Sequence, residues 1–367
     1  MKNTIIILLA AVLLTGCGMT MKTQSGIKPN VDEVCELAYY AKQERNYPEA
    51  KKYYYQCLEM CRKLEKNDPQ KYSPEIVSIL NSLGILHNDA KEYPQALEAY
   101  KRALKISKTL AAADPDTYLP KVAMILNNLG NLHGNIKEYS HAAEALEESS
   151  KIYRELAAGN PEEYLPDVAM TLYNLGLLHS DVKEYQKALE ELKEALEIYR
   201  EFAAVNPEEY LPMTAMTLNA LGNLHNAAGE YPKAVEAYEE ALSIYRDFAV
   251  VNPEKYLPEL ALIYGNLSFY YLFTKEYPKS EQFARRALEL DNASFAKTNL
   301  AHALLFQNRF SEAEIIYKEL SQTIHADNET YTQALLDDFD ELEKADAIPY
   351  GHITDVERIR EMLKYNY

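Results

Sequence analysis

Tryptophan is absent from the 367 residues, and positive charge is in deficit, with 38 Lys and Arg against 56 Asp and Glu. The formal net charge of -18 repels phosphate backbones, and no basic stripe offsets it, so nucleic acid is excluded as a partner. The acidic excess reads as solvated helix faces that keep a long chain soluble. Several motifs are also missing. There is no strand-like alternation, no glycine-rich phosphate loop, no nucleophile elbow and no metal-ligand spacing. These absences predict an all-α chain with no catalytic residues, no cofactor and no metal.

No run at the N-terminus is long enough to cross a bilayer. Ile5 to Leu14 is ten apolar residues, about 15 Å as a helix, or half the hydrocarbon core. With Lys2 before it and Thr15-Gly16-Cys17 after it, residues 1–16 read as an export signal. Leu14-Thr15-Gly16-Cys17 resembles the lipobox of bacterial lipoproteins. That resemblance implies cleavage before Cys17 and lipidation of its thiol, with enough acyl chains for stable anchoring. It places the chain in a bacterial cell envelope, in the outer membrane facing the periplasm, with the lipid as its membrane contact. Residues 17–30 are polar, contain Gly and Pro, and read as a flexible tether of roughly 20 Å.

What the chain does have is periodicity. Gly84, Gly130, Gly176 and Gly222 stand 46 residues apart, each followed three positions later by His87, His133, His179 or His225. A second block recurs downstream as Glu92-Tyr93, Glu138-Tyr139, Glu184-Tyr185, Glu230-Tyr231 and Glu276-Tyr277. Self-similarity at this period predicts a solenoid. Val168, Leu172, Leu175, His179 and Val182 form one helical stripe, and Ala188, Leu189, Leu192, Ala195, Leu196 and Tyr199 form a second. Asn206-Pro207 interrupts the pattern, and Pro212 is expected to reopen it at a first helical position.

The blocks resemble the tetratricopeptide repeat, a helical hairpin that places Leu80, Leu83, Gly84, His87, Ala96, Tyr100 and Ala103 at its characteristic positions. The 12 residues beyond the usual 34 make the units similar to the extended repeats of kinesin light chains. The resemblance implies a right-handed α-solenoid of stacked antiparallel hairpins: about seven over residues 31–325, with 326–367 as a C-terminal helical cap. Terminal units must cover an open apolar end.

The four periodic histidines cannot share an ion, because equivalent positions in stacked hairpins lie roughly 8–10 Å apart. They read as packing residues, as do Tyr72, Tyr118, Tyr164, Tyr210 and Tyr256 in the Pro-x-x-Tyr segments. The resemblance implies that Asn81, Asn127, Asn128, Asn131, Asn174, Asn219, Asn223 and Asn266 point into or near a concave groove. Each amide offers donor and acceptor, so this set is expected either to hold a peptide backbone or to bridge adjacent repeats. Cys35, Cys57 and Cys61 fall in the first hairpin. An exported chain permits a disulfide from Cys35 to one of the other two, and three reduced thiols is the alternative.

The expected function is a non-enzymatic scaffold that binds a peptide or protein partner, with its oligomeric state open. Alternatives are a subunit of an envelope assembly or export complex, or an accessory protein for glycans or small ligands. In the last case the aromatic groove residues Tyr173 and Phe269 would matter.

Overall fold

A computed structural model describes residues 30–290, 294–322 and 331–365. Residues 1–16, expected as an export signal, Cys17, and the expected tether up to residue 29 lie outside it. Among the described residues there are sixteen α-helices, one 3-10 turn and no strand, so the chain is all-α.

Two compact units divide the chain, residues 1–118 and 119–367. The first holds α1 (Val31–Gln43), α2 (Tyr47–Glu65), α3 (Pro69–Asp89) and α4 (Tyr93–Ala113). The second begins inside α5 (Pro115–Asn135) and continues through α6 (Tyr139–Gly159), α7 (Pro161–Asp181), α8 (Tyr185–Val205), α9 (Pro207–Ala227) and α10 (Tyr231–Val251). It ends with α11 (Pro253–Phe273), α12 (Tyr277–Leu290), α13 (Ser294–Leu305), α14 (Phe310–Ser321), α15 (Tyr331–Lys344) and α16 (Ile353–Tyr365). From α1 to α14 consecutive helices form seven hairpins.

The 46-residue period has a simple anatomy. From α3 to α11 every helix is 21 residues long. A three-residue turn closes each of these hairpins, and one residue links it to the next. Asp114, Asn160, Asn206 and Asn252 are those links. The residue before proline is pushed out of the helical region, and Asn206 accordingly sits at φ -129°, ψ 78°. It ends α8 and caps α9 in one step, with Pro207 at the first helical position, where an N–H has no partner to lose.

Pro212 therefore does not open a helix. It lies inside α9, as Pro120, Pro166 and Pro258 lie inside α5, α7 and α11. The bond it forfeits is the one to the carbonyl of exposed Glu208, which water can satisfy. The Pro-x-x-Tyr tyrosines are helical as well. Tyr210 packs its ring 5.3 Å from Phe202, and Tyr256 lies at the same distance from Phe248.

In the three-residue turns the middle position is left-handed: Lys91, Lys137, Lys183 and Lys275 at φ 58–64°, and Gly229 at 73°. Val182, which the helical stripe includes, is the first residue of such a turn and is exposed. The rest of that stripe is buried, with Val168, Leu172, Leu175 and His179 at or below 7% exposure. In the second stripe Ala188, Leu192, Ala195 and Tyr199 are at or below 2%, while Leu189 is half-buried.

In four of the hairpins the two helices meet at glycine. A Cβ on Gly130 would fall 2.5 Å from Leu146 Cγ and 3.2 Å from the Ala142 carbonyl oxygen. Gly176 meets Leu192 in the same way, while Gly84 and Gly222 face the rings of Tyr100 and Tyr238. After the last hairpin, α15 and α16 bury Leu335, Phe339, Leu342, Val356, Ile359 and Leu363 against Leu300, Leu304 and Tyr317. Gly222→Ala is expected to lower stability by about 1–3 kcal/mol through overpacking, although alanine is intrinsically the better helix former by ~1 kcal/mol. The midpoint of urea unfolding measures it.

Candidate functional site

Each periodic histidine fastens its own turn. The backbone N–H of Glu138 donates to the His133 carbonyl at 2.8 Å, and His133 Nδ1 meets Glu138 Oε2 at 2.7 Å. His225 and Glu230 repeat both contacts at the same distances. In the first unit His87 pairs with Glu92, which also takes Lys51 at 2.8 Å, while the other ring nitrogen of His87 meets the Tyr55 hydroxyl at 2.7 Å. His179 turns instead to Glu191 at 2.7 Å. These buried imidazoles are staples of the helix–turn–helix as well as packing residues.

The asparagines divide by burial. Asn81 and Asn127 are 7% and 2% exposed and cannot reach a peptide. Within the second unit Asn174 Nδ2 donates to Asn127 Oδ1 at 2.9 Å, and Asn266 Nδ2 donates to Asn219 Oδ1 at 3.0 Å. Both bonds span 47 residues, so they tie one repeat to the next, the bridging role left open by the sequence. Asn223 Oδ1 accepts from the Tyr238 hydroxyl at 2.7 Å and from Asn266 at 3.3 Å. Asn128, Asn131, Asn174, Asn219 and Asn266 are half-buried and Asn223 is exposed. These keep some capacity for a ligand.

The ladder breaks where Tyr173 stands in the position of Asn127 and Asn219. Burial and the Glu259 carboxylate push the Tyr173 hydroxyl up to about 12. On the same helix, burial and then Glu163 raise the carboxyl of Asp167. The face built by α7, α9 and α11 thus combines amides and a tyrosine with half-buried acid.

That face continues into a recess of about 400 Å³ between α11, α13 and α15. Asn266, Phe269, Phe295, Asn299, Tyr331 and Asp338 line it, and no Lys or Arg does. The Asn299 amide donates to the Gly265 carbonyl at 3.1 Å and to the Ser268 hydroxyl at 2.8 Å, which fixes one wall. Behind Asp338 lies His302, fully buried, with Nε2 3.7 Å from the Asp338 carboxylate and Nδ1 2.7 Å from the Tyr317 hydroxyl. The sequence pointed to Asn266 and Phe269. The rest of the recess escaped it, because the repeat interval shortens before Asn299 and Asp338 lies beyond the last repeat. A larger hollow of about 690 Å³ on α6 and α8 is open and acidic, and an Arg154–Glu194 ion pair at 2.8 Å crosses it.

Near the N-terminus, Cys35 on α1 and Cys57 on α2 are joined, with their Cα atoms 5.7 Å apart. Cys61 remains a free, buried thiol, which burial, with Glu75, Asp32 and Glu65 nearby, pushes up to about 11. Cys17 lies outside the described residues.

Sequence profiles described as Tetratricopeptide repeat match residues 34–109 and 75–155, and again 168–201 and 214–247, together just over half the chain. No curated protein sequence matches. Among solved structures, BtubC (BKLC) from P. vanneervenii is similar with TM-score 0.52 and 21% identity over 72% of this chain and 91% of that one. A signal-transduction ATPase (STAND) with a tetratricopeptide repeat sensor from Pyrococcus horikoshii gives 0.59 and 13% over 93% and 54%. A Rap protein complexed with competence and sporulation factor gives 0.52 and 15% over 92% and 99%. At these identities the likeness is one of fold.

Two carboxylates should respond to pH with opposite sign. Lys233 first, then His225, hold Glu230 below its ordinary value. Its contribution is therefore present above the unfolded value and lost as pH falls through the folded one. Asp167, raised by burial, costs stability when ionised, and that cost disappears as pH falls through its raised value. Thermal melts at pH 7 should show Asp167→Asn stabilised and Glu230→Gln destabilised, the second only slightly because the Glu230 side chain is exposed to screening water. As pH falls, the Asp167 difference should shrink first, from its raised value down, and the Glu230 difference last, through its lowered one.

Proposed function

The chain belongs to the tetratricopeptide-repeat family, and from that premise we propose a non-enzymatic scaffold that binds an extended segment of a partner protein across the face of α7, α9, α11 and α13. The observation that carries this reading is the recess at the end of that face. It offers aromatic surface from Phe269 and Phe295 beside the Asn266 amide and the Asp338 carboxylate, with no basic lining residue. Such a site suits one basic or apolar side chain of a segment whose backbone meets Asn223 and Asn266. The similarly folded Rap protein, solved in complex with competence and sporulation factor, lends support by analogy of fold.

The scaffold is proposed to sit at a bacterial membrane, most simply the outer membrane on its periplasmic side, through a lipid on Cys17. Support comes from the Leu14-Thr15-Gly16-Cys17 motif after an apolar run too short to span a bilayer. The Cys35–Cys57 bond suits an oxidising compartment. No helix among the described residues is long and apolar enough to cross a membrane.

One observation favours a second reading, a subunit that docks folded partners along an edge. Val205 and Val251, 46 residues apart at the ends of α8 and α10, are 88% and 84% exposed.

A photo-crosslinking residue placed at Phe295, at Lys193 on α8, or at Val251 in intact cells separates these readings. Adducts at 295 alone support the groove, adducts at 251 alone support edge docking, and silence at 295 rejects the groove. Asn266→Ala with Asp338→Asn should weaken partner capture by about tenfold, ~1.4 kcal/mol, while leaving the helical melt in place. For the anchor, Cys17→Ala is expected to leave the membrane fraction. Retention equal to the parent's would reject lipidation.

A further inference from the structure

One turn of the array differs from its equivalents in a way that changes its chemistry. Three residues after the turn glutamate, the other repeats carry Gln95, Lys187, Lys233 and Lys279. The lysines close ion pairs with their glutamates at 2.5 Å (Lys187–Glu184), 2.8 Å (Lys233–Glu230) and 2.5 Å (Lys279–Glu276). In the third hairpin the position is His141. Its Nδ1 stands 3.6 Å from Glu138 Oε2, the same oxygen that His133 Nδ1 approaches at 2.7 Å. A second imidazole therefore joins the His–Glu pair where three of the other repeats place an ammonium. All three ligand atoms lie within 4.8 Å of one another, and the two rings have centroids 5.2 Å apart.

We propose that His133, Glu138 and His141 form a binding site for a divalent transition-metal ion of the zinc class. Nitrogen and carboxylate oxygen ligands hold such an ion at about 2.0–2.2 Å, which puts neighbouring ligands roughly 3.3 Å apart in a tetrahedral shell. The separations of 2.7 and 3.6 Å bracket that value. Half of the site is preformed. His133 is buried on α5, and the Glu138 backbone N–H is bound to its carbonyl at 2.8 Å, so the turn holds both ligands in register. The other half closes on binding, because the His141 side chain is 65% exposed on the first turn of α6 and free to swing inward. Imidazole donors select zinc, cobalt, nickel or copper over calcium and magnesium. Three protein ligands leave a coordination position for water or for a side chain of a partner. The periodic histidines alone supply one imidazole per turn. The second comes from the substitution at 141.

A ligating nitrogen must be unprotonated, so in the bound state His133 Nδ1 faces the ion and the neutral imidazole carries its one proton on Nε2, with any proton in excess released to water. No group is oxidised or reduced. Binding ties α5 to α6 across the turn and raises the melting temperature by mass action.

The test uses the mature chain, freed of metal and titrated with Zn²⁺ by calorimetry and with Co²⁺ by visible absorption. One equivalent is expected, with the d–d bands of a low-coordinate Co²⁺ site. His141→Lys installs the residue that other repeats tolerate, so it should fold normally while losing at least about tenfold in affinity. Glu138→Gln should weaken binding likewise. Lys233→His rebuilds the arrangement beside His225 and Glu230, and should raise the stoichiometry to two. Absence of saturable binding, or equal affinity in the parent and His141→Lys, would overturn the proposal.

Discussion

Four of the seven hairpins depend on a close backbone approach at glycine, and Ala38, Ser268 and Ala301 hold the equivalent buried place in the other three. At Gly84, Gly130, Gly176 and Gly222 the first helix has no Cβ, and a side chain of the second helix lies over the gap. The facing alanines Ala96, Ala142, Ala188 and Ala234 are fully buried. This contact sets the separation of the two helices. A three-residue turn can then close them, and the His–Glu staple spans that turn from both backbone and side chain. Glycine costs about 1 kcal/mol in helix propensity, and tight packing of the covering leucine or tyrosine offsets it.

A second economy of geometry follows from the links. One residue joins successive hairpins, and its extended conformation is imposed by the proline after it. Helices of 21 residues then fill the period completely, and little loop remains to carry function. Binding capacity must therefore come from helix faces. On those faces the Asn127–Asn174 and Asn219–Asn266 bonds turn most of the apparent recognition ladder into inter-repeat fastening. The less periodic positions gain importance: Tyr173 where the ladder breaks, Asp338 beyond the repeats and His141 where a lysine is usual.

Period, composition and breakers in the chain were enough to read its class. A 46-residue recurrence of Leu-Gly, small residues and Glu-Tyr defines a helical hairpin, because helix packing is local and each unit meets its neighbours in the same register. Helix ends were harder to read. Pro207 and Pro212 are both plausible first residues, and only the cap geometry of Asn206 shows that the helix starts at the earlier one.

The sequence by itself determined that this is an all-α repeat protein with a lipobox-like start and no catalytic motif, since those properties depend on residue order over a few turns. Tertiary structure decided which side chains remain available. Asn127 and Asn128 are neighbours in the chain, yet a rotation of about 100° per residue buries one and leaves the other partly open. The recess of Phe295, Asn299 and Asp338, and the pairing of His133 with His141 around Glu138, join residues on different helices. Their distances depend on how the helices pack, which no spacing along the chain encodes.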